Sequence, residues 1–391
     1  MDEIANPFAP GAGNPPPELA GRAEVLHGAN VALGRIINGR HHQSQILLGL
    51  RGVGKTVLLN RIRHMAEELG YQVAYIEAPE GQKLEVLLVP AIRGILQRLS
   101  IVEAAKEKAH EALQALKSFA SVFQITYQDF GISVDPTPGV ADSGDLTRDL
   151  QELLIKVGEA AAAAGCGAAI LVDEIQYLKK EELSALIVGL HRISQERLPV
   201  TFFGGGLPQI AKLAGDAKSY AERLFEFPEI GPLSPDDAID ALREPIAREG
   251  AAIDDDALDE IVRTTEGYPY FIQEWGYQAW NIAELSPITK DDAEKAERRA
   301  LARLDSGFFR VRFDRLTPRE REYVRAMAEL GAGPQRSSEI ARMLGKDIQS
   351  VAPFRSNVIK KGMVYSPSYG DTAFTVPLFD AYLRRSIPDF R

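Results

Sequence analysis

Eight residues constrain this chain most: Gly49-Leu50-Arg51-Gly52-Val53-Gly54-Lys55-Thr56. They follow a short apolar run, Ile46-Leu47-Leu48, and lead into Val57-Leu58-Leu59-Asn60-Arg61-Ile62, whose spacing opens an amphipathic helix. Glycines allow the backbone to curl so that its N–H groups face inward, and the helix behind adds the positive end of its dipole. A strand, a glycine curl and a helix headed by Lys-Thr together make a phosphate cradle. Gly49, Gly52, Val53, Gly54 and Val57 would line a bound nucleotide. Lys55 is placed to reach β- and γ-phosphates, and the Thr56 hydroxyl to ligate Mg²⁺.

A second segment, Ala169-Ile170-Leu171-Val172-Asp173-Glu174, answers the first. Its apolar residues bury a strand and leave two carboxylates at the carboxyl end, where open parallel sheets place ligands. Asp173 would hold Mg²⁺ through water. Glu174 would orient or deprotonate the attacking water, because phosphoryl transfer needs positioning and charge more than covalent chemistry. The pair therefore predicts ATP binding and hydrolysis to ADP and phosphate.

Apolar runs alternate with helical stretches from Ile46 to about Gly231: Ile46–Leu48, Val73–Ile76, Ala168–Val172 and Val200–Phe203. Such runs predict an α/β fold, a parallel sheet with helices on both faces. An insertion at about 100–147 starts rich in Ala, Lys and Glu, passes through Phe123-Gln124-Ile125-Thr126-Tyr127 and ends in an acidic loop. Residues 1–18 read as an extended lead-in, since 6–17 are too rich in proline and glycine for helix or sheet. The ATPase domain is expected over 19–233 and a helical lid over 234–300. Ser234-Pro235-Asp236-Asp237 supplies that lid's first helix start. A third domain is expected over 301–391.

Composition narrows the setting. The chain has 391 residues, enough for two or three domains, and one cysteine, which excludes an internal disulfide. Six scattered histidines give no zinc-ligand spacing. No apolar run approaches the ~18 residues of a membrane helix, and the acidic start Met1-Asp2-Glu3-Ile4 lacks signal-peptide character. A cytoplasmic protein without a membrane partner is expected. The formal net charge is −10, yet residues 301–391 hold 16 Lys and Arg against 10 Asp and Glu. A basic tail on an acidic body points to a polyanion partner for the tail.

That tail reads as three helices and a hairpin. Thr317-Pro318-Arg319-Glu320 is a capping box opening the first helix; Ser337–Leu344 forms a second and about Ser350–Lys361 a third. Val364-Tyr365 and Ala373–Val376 flank a turn as in a β-hairpin. This order resembles a winged helix-turn-helix, in which the third helix enters the major groove of double-stranded DNA. Projection at 100° per residue sets Gln349, Ser356 and Lys360 opposite the apolar stripe expected at Val351, Phe354 and Val358, with Arg355 and Asn357 on its flanks. Gln349 and Asn357 suit base edges. Arg355, Lys360, Lys361 and Arg342 suit phosphates. The alternative is a winged helix used for protein contacts.

Taken together, about residues 18–300 resemble the AAA+ ATPases and the allied STAND ATPases, closest to the Orc1/Cdc6-like branch. Leu19-Ala20-Gly21-Arg22 with Glu24 resembles the family's lead-in against adenine, which implies nucleotide contacts for Gly21 and Arg22. Gly267-Tyr268-Pro269-Tyr270 resembles the Gly-x-Pro motif, whose proline, here Pro269, packs on adenine. Ala221–Phe227 resembles the segment carrying an arginine finger. The resemblance thus implies Arg223 in a neighbouring subunit's site and a homo-oligomer, with Arg192 and Arg197 as rivals and a surface pair with Glu222 or Glu226 as the alternative. Gly204-Gly205-Gly206 stands where the family has a polar sensor, with Thr201 the nearest polar residue in that strand. The resemblance also leaves open a STAND-type signalling ATPase that turns over slowly.

Overall fold

Every residue of the first strand is buried, as are all those of the third and fourth, so this sheet is covered on both faces. The computed structural model describes residues 1–11, 13–125 and 135–390. Thr126 and Tyr127 of the insertion lie outside the described residues. Five strands, β1 (Ser44–Leu48), β2 (Gln72–Glu77), β3 (Ala168–Asp173), β4 (Val200–Gly206) and β5 (Phe225–Glu226), form one sheet in the order β2-β3-β4-β1-β5. All pairings are parallel. The register sets Leu48 beside Gly206 and Glu77 beside Asp173.

Side chains alternate across the sheet with the pleat. Ile46, Leu48, Ile170 and Val172 join one core with the helices Leu84–Ser100, Lys106–Val122, Leu146–Ala163 and Lys180–Glu196. The expected α/β architecture is the one observed. The insertion contributes the helix Lys106–Val122 to that core through Ala109, Ala112, Leu116 and Phe119. Its acidic loop is tied to Asp149, whose carboxylate accepts from the Ser143 and Gly144 backbone and the Ser143 hydroxyl.

The described residues group into two compact units. One spans 22–49 and 55–230 and contains the five-stranded sheet; the other combines 1–21, 50–54 and 231–391. In the second unit the helix Pro235–Arg248 starts at Ser234, whose hydroxyl accepts from the Asp237 N–H. The helices Asp255–Thr265, Pro269–Ile282 and Lys290–Leu304 follow. The amino-terminal segment packs on them: Phe8 is buried against Gly276 and the Trp280 ring N–H donates to the Asp2 carbonyl.

A π-turn at Asp305–Phe309 leads to the last part of the chain. The capping box at Thr317 opens the helix Pro318–Leu330, which buries Tyr323, Val324 and Met327. Helices Ser337–Met343 and Ile348–Lys360 come next, the latter burying Val351 and Val358. Strand β6 (Gln335–Arg336) joins the hairpin β7 (Val364–Tyr365) and β8 (Asp371–Phe374) in the antiparallel order β6-β8-β7. A final helix, Phe379–Ser386, packs Phe379 and Leu383 inside. Among the described residues no helix is long and apolar enough to cross a membrane.

Candidate functional site

The Gly49–Thr56 segment leaves β1 and enters the helix Lys55–Glu68. Gly52 and Gly54 take φ of +87° and +95°, a region that side chains with a Cβ rarely enter. Lys55 is buried at the helix head and its ammonium donates to the Gly49 carbonyl at 2.9 Å. The Thr56 hydroxyl donates to Asp173 at 2.5 Å. A cation and a hydroxyl on a carboxylate therefore lie beyond the carboxyl ends of β1 and β3.

Burial raises the Asp173 carboxyl above the ordinary aspartate range, against the pull of the Thr56 hydrogen bond. A buried carboxylate of this kind gains from a hard cation. Two oxygen ligands suit Mg²⁺, which keeps several waters and takes the rest from substrate phosphates. Among the described residues no group of three or more His, Cys, Asp or Glu could hold an ion by itself. The residues present thus fit a metal that arrives with a nucleotide.

Glu174 follows in the left-handed region, φ +54° and ψ +37°, with its N–H donating to Asp173 at 2.8 Å. Its carboxylate accepts a short bond from the Gln176 side-chain amide. The same amide's oxygen accepts the N–H of Leu207, just past β4, at 3.2 Å. Sequence reading missed Gln176; the signal was its place two residues beyond an acidic strand end.

Gly205 and Gly206 stand where there is little room for a side chain. A Cβ at Gly205 would lie 2.8 Å from Leu59 and 2.9 Å from the Asp173 carboxylate, and one at Gly206 would lie 2.7 Å from Ile175. Thr201 sits five residues before Gly206, roughly 16 Å along the strand. It is wholly buried, and its hydroxyl has no hydrogen-bond partner among the described residues.

In the other unit, the loop apex Leu50–Gly54 is held by the Gly267–Tyr270 turn. The buried Tyr268 hydroxyl donates to the Arg51 carbonyl at 2.5 Å, and the Tyr270 N–H donates to the Gly52 carbonyl at 3.2 Å. The Arg51 N–H donates to the Thr375 carbonyl at 3.2 Å. A Cβ on Gly52 would come within 3.1 Å of the Tyr268 ring. Pro269 is the first residue of its helix and half-buried, with Gly267 before it at φ +68°. Gly21 has φ +66° and abuts Asp237, while Arg22 precedes the helix Ala23–Ile37 in the sheet-bearing unit.

Arg223 is exposed on the short helix Ala221–Leu224 and makes no ion pair among the described residues. Glu226 accepts from Gln45 instead, and Arg192 pairs with Glu196 at 2.6 Å. Arg223 borders an open groove of about 450 Å³ with His41, His191, Ser194 and Tyr220.

On the helix Ile348–Lys360, Gln349, Ser356, Asn357 and Lys360 are exposed in the positions expected of them. Arg355 is occupied: it donates to the Thr372 and Ser366 hydroxyls and the Asp371 carbonyl, each at 2.8 Å, tying helix to hairpin. Lys361 is likewise engaged, pairing with the buried Glu320 at 2.6 Å and donating to the Arg315 carbonyl.

A parallel sheet with a glycine loop after β1 and a carboxylate pair after β3 is the architecture of a P-loop fold. Residues 18–203 match the AAA ATPase domain family, and residues 306–383 match a family described as a domain of unknown function (DUF8462). An uncharacterized HTH-type transcriptional regulator of Methanocaldococcus jannaschii is 25% identical over 366 residues, covering 91% of this chain and 86% of its own. The Walker-type ATPase of Pyrococcus abyssi superposes with a TM-score of 0.57 at 17% identity, over 94% of this chain and 96% of that one. The ORC2 protein of Aeropyrum pernix, solved in ADPNP and ADP complexes, gives 0.53 at 14% identity, over 97% and 98%. Along nearly its whole length the chain shares the fold of these two structures, and its segment 18–203 is similar to the AAA ATPase domain family.

Proposed function

We propose that this chain is an ATP-driven switch acting on double-stranded DNA. It binds MgATP at Gly49–Thr56, hydrolyses it, and presents residues 301–391 to the duplex. One observation carries the ATP half: the Thr56 hydroxyl, at the head of the helix behind the glycine loop, meets the buried Asp173 carboxylate next to Glu174. Lys55 exchanges its bond to Gly49 for the β- and γ-phosphates, and the loop N–H groups take the remaining oxygens. Thr56 and Asp173 would hold Mg²⁺, which when bound supplies positive charge against the phosphates. Glu174 orients the attacking water and takes its proton.

The DNA half draws support from the helix-turn-helix name of the M. jannaschii relative and from the exposed row on Ile348–Lys360. Gln349 and Asn357 would read base edges and Lys360 would meet a phosphate, while Arg355 and Lys361 add charge beside them. The bonds from the loop apex to Tyr268, Tyr270 and Thr375 support communication between nucleotide and tail. Arg223, exposed and without an ion pair among the described residues, suits a contact in trans within a homo-oligomer.

The test is DNA affinity of the full-length protein with ATP, ADP or neither, across salt. The expected result is nucleotide-dependent affinity, with Lys360→Glu lowering the log–log salt slope by about 0.9. Negligible affinity throughout leaves a signalling ATPase whose tail contacts protein. Undiminished ATP binding by Lys55→Ala sinks the nucleotide half.

A further inference from the structure

We infer that Gln176 is the positioning residue for Glu174, supplying from the β3 side the polar contact that β4 has no room to provide. The inference rests on the hydrolytic reading above and deepens it. Three observations carry it. First, β4 ends in three glycines, and two of them lie where a Cβ would collide with Asp173, Leu59 or Ile175. A side chain at Gly205 or Gly206 would have to displace those atoms.

Second, Gln176 bridges that strand end to the carboxylate. A backbone N–H can only donate, so the Leu207 N–H requires the amide oxygen, and the amide nitrogen is thereby turned to Glu174. The amide orientation is dictated by its partners. Third, Glu174 sits in the left-handed region, which costs a non-glycine residue about 1 kcal/mol or more. That conformation persists only where surroundings over-determine it. The Glu174 N–H on Asp173 and its carboxylate on Gln176 hold it from both ends.

Holding the carboxylate matters because a general base works only within reach of its proton, and displacement by about 1 Å can cost roughly a hundredfold in rate. Gln176 touches neither nucleotide nor water in this account. It acts through Glu174, and through Leu207 it ties Glu174 to the strand beside β1.

Two substitutions separate this role from simple bracing. Gln176→Leu removes both bonds at similar size. Gln176→Glu keeps an acceptor for the Leu207 N–H but sets a carboxylate against Glu174. Steady-state phosphate release by full-length protein is measured with MgATP, with and without duplex DNA, together with ATP affinity and thermal midpoint. Wild type and Glu174→Gln are run alongside.

The expected result is a kcat at least about tenfold lower in both Gln176 variants, with KM and ATP affinity within about twofold of wild type. Recovery by Gln176→Glu alone shows that only the loop after β4 is braced, and overturns the inference. So does an unchanged or raised kcat in Gln176→Leu while wild type turns over and Glu174→Gln is silent. A parallel loss of ATP affinity and thermal midpoint overturns it too, as a folding effect. If wild type binds ATP but is as silent as Glu174→Gln, hydrolysis itself fails and the inference falls with it.

Discussion

Tyr268→Phe isolates one hydroxyl at the apex of the phosphate loop. In the native chain that hydroxyl donates to the Arg51 carbonyl at 2.5 Å, and Tyr268 is only 3% exposed. The ring stays in phenylalanine, so packing against Gly52 and the Phe271 ring at 5.3 Å is kept. One neutral hydrogen bond is worth about 1 kcal/mol net, which converts to about a fivefold change in an equilibrium. Because the bond fixes the loop rather than the bulk of its unit, the loss falls on the population of the phosphate-ready curl. ATP should therefore bind up to about fivefold more weakly, with the thermal midpoint of the free protein nearly unchanged. The same bond adjoins the Arg51 N–H on Thr375, so the ratio of DNA affinities with and without ATP should shrink in the same variant. Calorimetry for ATP and fluorescence anisotropy for DNA read the two effects. If both stay at wild-type values, the hydroxyl serves lid packing alone and the link between loop and tail is refuted.

Asp173→Asn tests the buried carboxylate. Burial raises its folded pKa above the unfolded value. The stability it lends is therefore full below the ordinary aspartate pKa and is lost as pH rises through the folded pKa. At neutral pH the ionised group weighs against the nucleotide-free fold, so the asparagine variant should melt higher at pH 7 and lose the stabilisation that MgATP gives; a lower midpoint contradicts the account. Arg355→Leu removes three hydrogen bonds between the helix Ile348–Lys360 and the hairpin, a cost of about 3 kcal/mol. Hydrogen exchange should rise across residues 335–374 and DNA affinity fall with it. Unaltered exchange there would show that the guanidinium is dispensable to the hairpin.

The loop and the acidic strand end were legible because their chemistry dictates residue types locally. A backbone curl needs glycine and a phosphate needs a cation and N–H groups, while a buried strand ending in carboxylates stands out against apolar neighbours. The sheet class followed from continuous apolar runs, and the caps at Ser234 and Thr317 appear as expected because capping involves residues three apart. Strand order was not legible, since β1 lies beside β4 across more than 150 positions. Gln176 was hidden for the same reason: its partner Leu207 is 31 residues away. Arg355 and Lys361 show a different limit. Helical projection gives the direction of a Cβ, whereas a long cationic side chain can carry its charge around to Thr372 or to Glu320. Strand β6 has two residues, too few for any periodic signal.

Within the unit that holds residues 231–391, the loop apex is one end of a run of aromatic contacts. Tyr270, whose N–H donates to Gly52, stacks on Phe308 at 4.8 Å, and the Arg312 guanidinium covers that ring at 3.7 Å. Phe308 and Phe309 lie in the π-turn, and Phe309 packs on Phe379 and Tyr382 of the last helix. Arg385 of that helix returns to Asp305 at 2.7 Å. Close-packed rings shift as blocks rather than by gradual deformation. A change at Gly52 can thus reach the tail by moving Tyr270 and Phe308 together, at a turn whose extra residue loosens the helix ladder. Packing alone does not make a switch; ATP must favour one arrangement of that block over another by its own binding energy. On the proposed reading the consequence is reciprocal: whatever factor ATP applies to DNA affinity, DNA must apply to ATP affinity.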